Sequence, residues 1–123
     1  MPDWSIKIIP DANGVPAAIV PDLRGSKPGD PLQAQVDDLV SWNNTTDRPC
    51  QPWPTDAEYN PLPDNQVSTT IGNYLSDSIP AGMSSRPLYD VVMPTWLTPS
   101  DGNVIYYCLK NTNVRGTIVV SPP

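Results

Sequence analysis

The sequence predicts an all-β sandwich of seven or eight short strands. Two observations lead there: proline fills 17 of the 123 positions, and short β-branched and aromatic runs recur between clusters of Gly, Asn, Asp and Pro. Proline lacks an N–H and fixes one backbone dihedral, so it suits turns, bulges and strand edges and breaks up helices. Short strands with turns at this spacing are expected to stack as two sheets. The chain has no Phe, so four Trp and five Tyr must supply the aromatic core. One domain, 1–123, accommodates everything, because a chain of this size hides roughly two thirds of the surface it would expose unfolded. No repeat, low-complexity tract or linker divides it.

In order along the chain, Trp4 to Ile9 alternates and stops at Pro10, and a turn at Asp11, Asn13 and Gly14 leads to the apolar Ala17 to Val20. These are the first two strands. After the loop PDLRGSKPGDP come LQAQV, a turn at Asp37 and Asp38, and LVSWNN, whose Leu39, Val40 and Trp42 suit a half-buried strand. From Thr45 to Gln66 five prolines crowd 22 residues, which predicts a long, stiff loop without a packed strand. VSTTI (Val67 to Ile71) alternates as a strand does, and GNYLSD reads as a turn or one helical turn. SIPAGMSSRPLYDVVM reads as strand, Gly-containing turn and strand, followed by a second proline-punctuated loop, PTWLTPSDGN. Val104 to Cys108 and Gly116 to Val120 close the chain as strands. The seven residues between them are too few for a crossover helix, so the pair is antiparallel or joined across an edge of the sandwich.

Charge and composition exclude several function classes. Seven Lys and Arg against 13 Asp and Glu leave a net charge of −6, the wrong sign for tracking phosphates, so no nucleic-acid partner is expected. No apolar run approaches the roughly 20 residues of a spanning helix. The start, MPDWSIKIIP, has neither a basic n-region nor an apolar h-region. Either the protein is made without export, or a removed signal peptide has given way to a start methionine, which would make it periplasmic or secreted. The chain contains no histidine, which removes Ser-His-Asp and Cys-His catalysis, imidazole zinc sites and histidine general bases. No glycine-rich phosphate loop is present. Asp56 and Glu58 are neighbours in a polar loop, where such carboxylates are solvated surface. No catalytic residue is assigned and no enzyme is expected.

Three segments resemble the cupredoxins, the blue-copper family of plastocyanin, amicyanin and pseudoazurin. DDLVSWNNTTDRPC (Asp37 to Cys50) is similar to the family's G-D-x-V-x-W-x-N strand and the loop leading to P-H, with Cys50 where that first histidine ligand would stand. IPAGMSS (Ile79 to Ser85) is similar to the I-x-P-G-x-S turn. YYCLKNTNVRGTIVV (Tyr106 to Val120) is similar to Y-x-C-x-x-H-P-x-M-x-G-x-I-x-V, which sets Cys108 on the thiolate ligand, Asn111 on the second histidine and Val114 on the axial methionine. The resemblance implies a cupredoxin-like Greek-key β-sandwich. It also implies a copper site that has degenerated, since a blue-copper centre needs two imidazoles beside its thiolate.

In the family the first histidine and the cysteine converge on one ion, so the resemblance implies that Cys50 and Cys108 meet. Three outcomes stay open: a disulfide in place of the metal, a two-thiolate site for Cu(I) helped by Met83 or Met93, or two inert buried thiols. The resemblance also gathers Trp53, Tyr59, Trp96 and Leu97 at one end of the sandwich. There they either form a docking face for a protein partner or fold back to cap the core. Asn43 and Asn44 each open an N-x-T sequon, but as the end of a strand their side chains are expected to bond nearby backbone. The function read from all this is a non-catalytic binding or structural module. The alternative is a copper-handling or electron-transfer protein using Cys108 and Cys50 as ligands.

Overall fold

The computed structural model describes residues 3–98 and 102–123. Among the described residues eight strands form two mixed four-stranded sheets, an all-β arrangement of the kind that the sequence predicts. The strands are β1 (Asp3–Pro10), β2 (Pro16–Pro21), β3 (Leu32–Gln35), β4 (Leu39–Asn44), β5 (Pro52–Pro54), β6 (Tyr89–Asp90), β7 (Val104–Leu109) and β8 (Arg115–Ser121). Sheet A runs β2-β1-β4-β6 and sheet B runs β3-β8-β7-β5. Each sheet contains one parallel pair, β1 with β4 and β3 with β8, among antiparallel neighbours. The closing hairpin β7-β8 is antiparallel, with Ile105 opposite Ile118 and Cys108 opposite Arg115.

Alternation along each strand sends one set of side chains into the space between the sheets. From sheet A these are Ile6 and Ile8 of β1 with Val40 and Trp42 of β4; from sheet B, Ile105, Tyr107 and Leu109 of β7 with Ile118 and Val120 of β8. Trp42 and Tyr107 meet edge to face across the sandwich, their ring centroids 5.5 Å apart.

Three sequence expectations are corrected. The proline-dense stretch contains a strand, β5, because its prolines alternate. Trp53 pairs with Cys108, Gln51 accepts from the Lys110 amide at 2.9 Å, and Thr55 donates to Tyr106 at 2.9 Å. Pro52 and Pro54 therefore occupy the positions whose missing N–H would have pointed off the sheet edge. VSTTI is not a strand: a 3-10 turn at Asp64–Gln66 precedes it, and the Asn73 side chain bonds the Gln66 carbonyl and the Ser68 amide, folding the segment into turns. The expected strand around Ile79 is reduced to a bridge with Cys50. Of the loop PTWLTPSDGN, Pro99, Ser100 and Asp101 lie outside the described residues, as do Met1 and Pro2 of the N-terminal segment.

Candidate functional site

Of the four positions that the resemblance sets on a metal, Cys50 and Val114 join the core cluster while Cys108 and Asn111 do not. Tyr107 and Leu109 of β7 point into the core, so Cys108 between them points to the outer face of sheet B. There it lies opposite Trp53 of β5 and Arg115 of β8. Cys50 sits on the inner side, within the core cluster. Its backbone exchanges hydrogen bonds with Ile79 at 3.0 and 2.6 Å, and its Sγ lies 3.7 Å from Thr46 Oγ1 and 3.6 Å from the Arg48 carbonyl. Val114 is a core side chain. Asn111 is exposed, in the left-handed conformation with φ of 64°, which asparagine tolerates better than most residues.

The expected approach of Cys50 and Cys108 is thereby corrected. Both thiols are free and buried. Cys50 precedes Trp53, the partner of Cys108, by three residues, which at the rise of a strand is roughly 10 Å. A disulfide needs α-carbons within about 7 Å and facing β-carbons, and here Cys50 turns into the core while Cys108 turns outward from sheet B. The loop between β7 and β8, the metal loop of the resemblance, satisfies itself as a hairpin turn. Thr112 Oγ1 donates to the Leu109 carbonyl at 2.7 Å and accepts from the Val114 amide at 3.0 Å. Among the described residues no group of three Cys, Asp or Glu side chains could hold a metal ion. The residues present do not fit the copper ion that the resemblance implies, because their donors do not converge.

Around Cys108 the outer face of sheet B carries a layer of aromatic rings and cations. The Lys110 ammonium lies 4.2 Å from the Trp53 ring, whose other neighbour is Tyr74 at 6.3 Å, edge on. Trp53 Nε1 donates to the Leu62 carbonyl at 2.8 Å, which draws the loop after β5 over the sheet. Tyr59 of that loop packs edge on to Tyr106 at 5.5 Å, with the Arg115 guanidinium over its ring at 4.9 Å. Burial pushes the Cys108 thiol above its ordinary range, and Arg115 only partly opposes this. Burial likewise raises Cys50, with the Thr46 hydrogen bond pulling the other way. Both sulfurs are held as neutral thiols, the unreactive form.

Trp53 is only 7% exposed, so it fills the layer and offers no docking area. Trp96 is half-buried and packs against the core, its indole N–H without a hydrogen-bond partner among the described residues. Folding back over the core, the second of the two expectations for this loop end, describes Trp96, whereas Trp53 is buried in the outer layer of sheet B. Asn44 is fully buried at the end of β4, where its side chain bonds the backbone of three loop residues and of Thr46.

One surface feature escaped the sequence reading. A cleft of about 460 Å³ runs beside β6, between it and the segment 69–77. Tyr74, Leu75, Pro87, Leu88 and Val92 line it, with Asp77 and Asp90 on its walls. Its signal in the sequence was the alternation of Leu88, Tyr89 and Asp90, read only as a strand.

No protein-family model and no curated protein matches the chain. Solved structures do resemble it. A multicopper oxidase is 17% identical over 98% of this chain and 41% of its own, with a TM-score of 0.45. Lac15 from a marine microbial metagenome is 16% identical over 99% of this chain and 32% of its own, with a TM-score of 0.41. The chain thus spans less than half the length of either.

Proposed function

We propose that this chain is a non-catalytic cupredoxin-like module, serving binding or structure, in which the blue-copper ligand set has been dispersed. The observation that carries this reading is the facing of β7: Tyr107 and Leu109 take the inward places and Cys108 the outward one. A thiolate facing away from the core that holds Cys50 and Val114 cannot complete a blue-copper centre with those positions, since such a centre needs its donors around one ion. The inward places are filled instead by apolar and hydrogen-bonded groups, which serve packing. Adding Cu(II) to the purified protein is expected to give no intense band near about 600 nm, where a copper thiolate of that type would absorb. Reduced protein should take up no more Cu(I) than its Cys108→Ser variant. An intense band, or stoichiometric Cu(I) uptake lost in that variant, would overturn the reading in favour of a copper-handling protein.

A further inference from the structure

β6 is the edge strand of sheet A, and among the described residues no strand pairs with its outer side. Tyr89 pairs with Val40, and Val91 donates to the Asp38 carbonyl at 2.9 Å. In an antiparallel ladder backbone groups alternate between the two sides of a strand. Leu88 and Asp90 consequently turn their N–H and C=O groups away from β4. Among the described residues neither has a backbone hydrogen-bond partner. This free edge borders the cleft described above. Its apolar lining includes Leu88, which is 39% exposed although large and aliphatic. The charged side chains that line the cleft are Asp77 and Asp90, with no Lys or Arg among them. Arg86 lines an adjoining depression with Ser41 and Ser84, which shares Pro87 and Leu88 with the cleft.

We propose that the open edge of β6 and its cleft take an extended peptide in which a Lys or Arg lies two residues from an aliphatic side chain, with a further aliphatic residue between them. The proposal rests on the module reading and names its partner class. An added strand would exchange backbone hydrogen bonds with Leu88 and Asp90, the mode of edge addition. Leu88 and Asp90 lie two residues apart and share a face, so an incoming strand sets an aliphatic group beside one and a cation beside the other. The residue between them projects to the opposite face, the one on which Tyr89 lies. The net charge of −6 sets two copies of this chain against each other and favours a basic strand at the same edge.

The probe is an acetylated, amidated peptide, Gly-Val-Val-Lys-Val-Lys-Gly, titrated into isotope-labelled protein at low salt. Amide shifts are expected at residues 76–77 and 88–92, with affinity falling as salt is added. The variant Asp77→Lys/Asp90→Lys, altered only at exposed side chains, should bind at least about tenfold more weakly. A peptide with Glu for Lys should not bind, and N-methylation of its central amides should abolish the shifts. Undiminished binding to the double variant, shifts confined to another surface, or a concentration-dependent dimer that perturbs the same amides without peptide would overturn the proposal. The copper titration reports separately on the module reading, so a protein that ignores both peptide and copper loses this inference alone.

Discussion

Trp42 of sheet A donates its indole N–H to the phenolic oxygen of Tyr107 of sheet B at 3.1 Å, and both residues are essentially excluded from solvent. This bond joins the two layers through the middle of an otherwise apolar core. Replacing Tyr107 by Phe keeps the ring but leaves the indole N–H unpaired, a cost of about 1–3 kcal/mol. Urea unfolding should show a lower midpoint with an unchanged slope. An unchanged midpoint would mean the bond contributes nothing net.

The same tyrosine depends on a glycine. A β-carbon on Gly116, directly opposite on β8, would lie 2.5 Å from the Tyr107 ring. Gly116→Ala must displace that ring and with it the bond to Trp42, so a loss of about 1–3 kcal/mol is expected, as for other overpacked cores. Near-ultraviolet circular dichroism should change along with the thermal midpoint.

Asn44 closes one end of the sandwich. Its Nδ2 donates to the carbonyls of Arg48 at 2.7 Å, Ile79 at 3.0 Å and Pro80 at 3.3 Å, while Oδ1 accepts from the Thr46 amide and hydroxyl. Asn44→Asp removes the donor and sets a buried carboxylate against three carbonyl oxygens. A loss of about 3 kcal/mol or more is expected from a charge buried without a partner. It should ease at acidic pH, where the carboxyl is protonated; equal losses at pH 4 and pH 7 would contradict this account.

Alkaline pH should weaken the fold. Burial raises the pKa of Cys50 and Cys108 above the ordinary 9.0, and that of Tyr89 and Tyr107 well above 10.0. Groups whose folded pKa is raised hold their proton more tightly in the native state. Their contribution is whole below the unfolded pKa and is lost as pH rises through the folded one. Stability should therefore show no loss from these groups below about pH 9 and decline above it. Below that range both thiols should resist a disulfide reagent until the protein unfolds, when two should react.

Most of the architecture was legible because alternation is a local signal. Leu39–Asn44, Val104–Leu109 and Arg115–Ser121 could be read from β-branched and aromatic runs whose inward positions carry the core. β5 was not legible, since proline argues against a strand until one knows that the strand lies at an edge with its prolines on the outer side. The segment Val67 to Ile71 misled in the opposite sense. It alternates, but the side chain of Asn73, just beyond the segment, bonds Gln66 and Ser68 and bends it into turns, which the alternation does not register.

The site was harder to read than the fold. A one-residue difference in facing decides whether Cys108 shares a space with Cys50, and motif spacing carries no record of facing. The pattern Tyr106, Tyr107, Cys108, Leu109 offered two alternating sets, and the large apolar pair Tyr107 and Leu109 took the interior. The outward turn of Cys108, away from the core that holds Cys50, follows from that competition.

β8 is the last strand along the chain, yet it stands inside its sheet between β3 and β7. β8 is thus the sole bridge between β3 and the β7-β5 pair, so deleting residues 115–121 would strand β3 and split sheet B even though sheet A keeps all its strands.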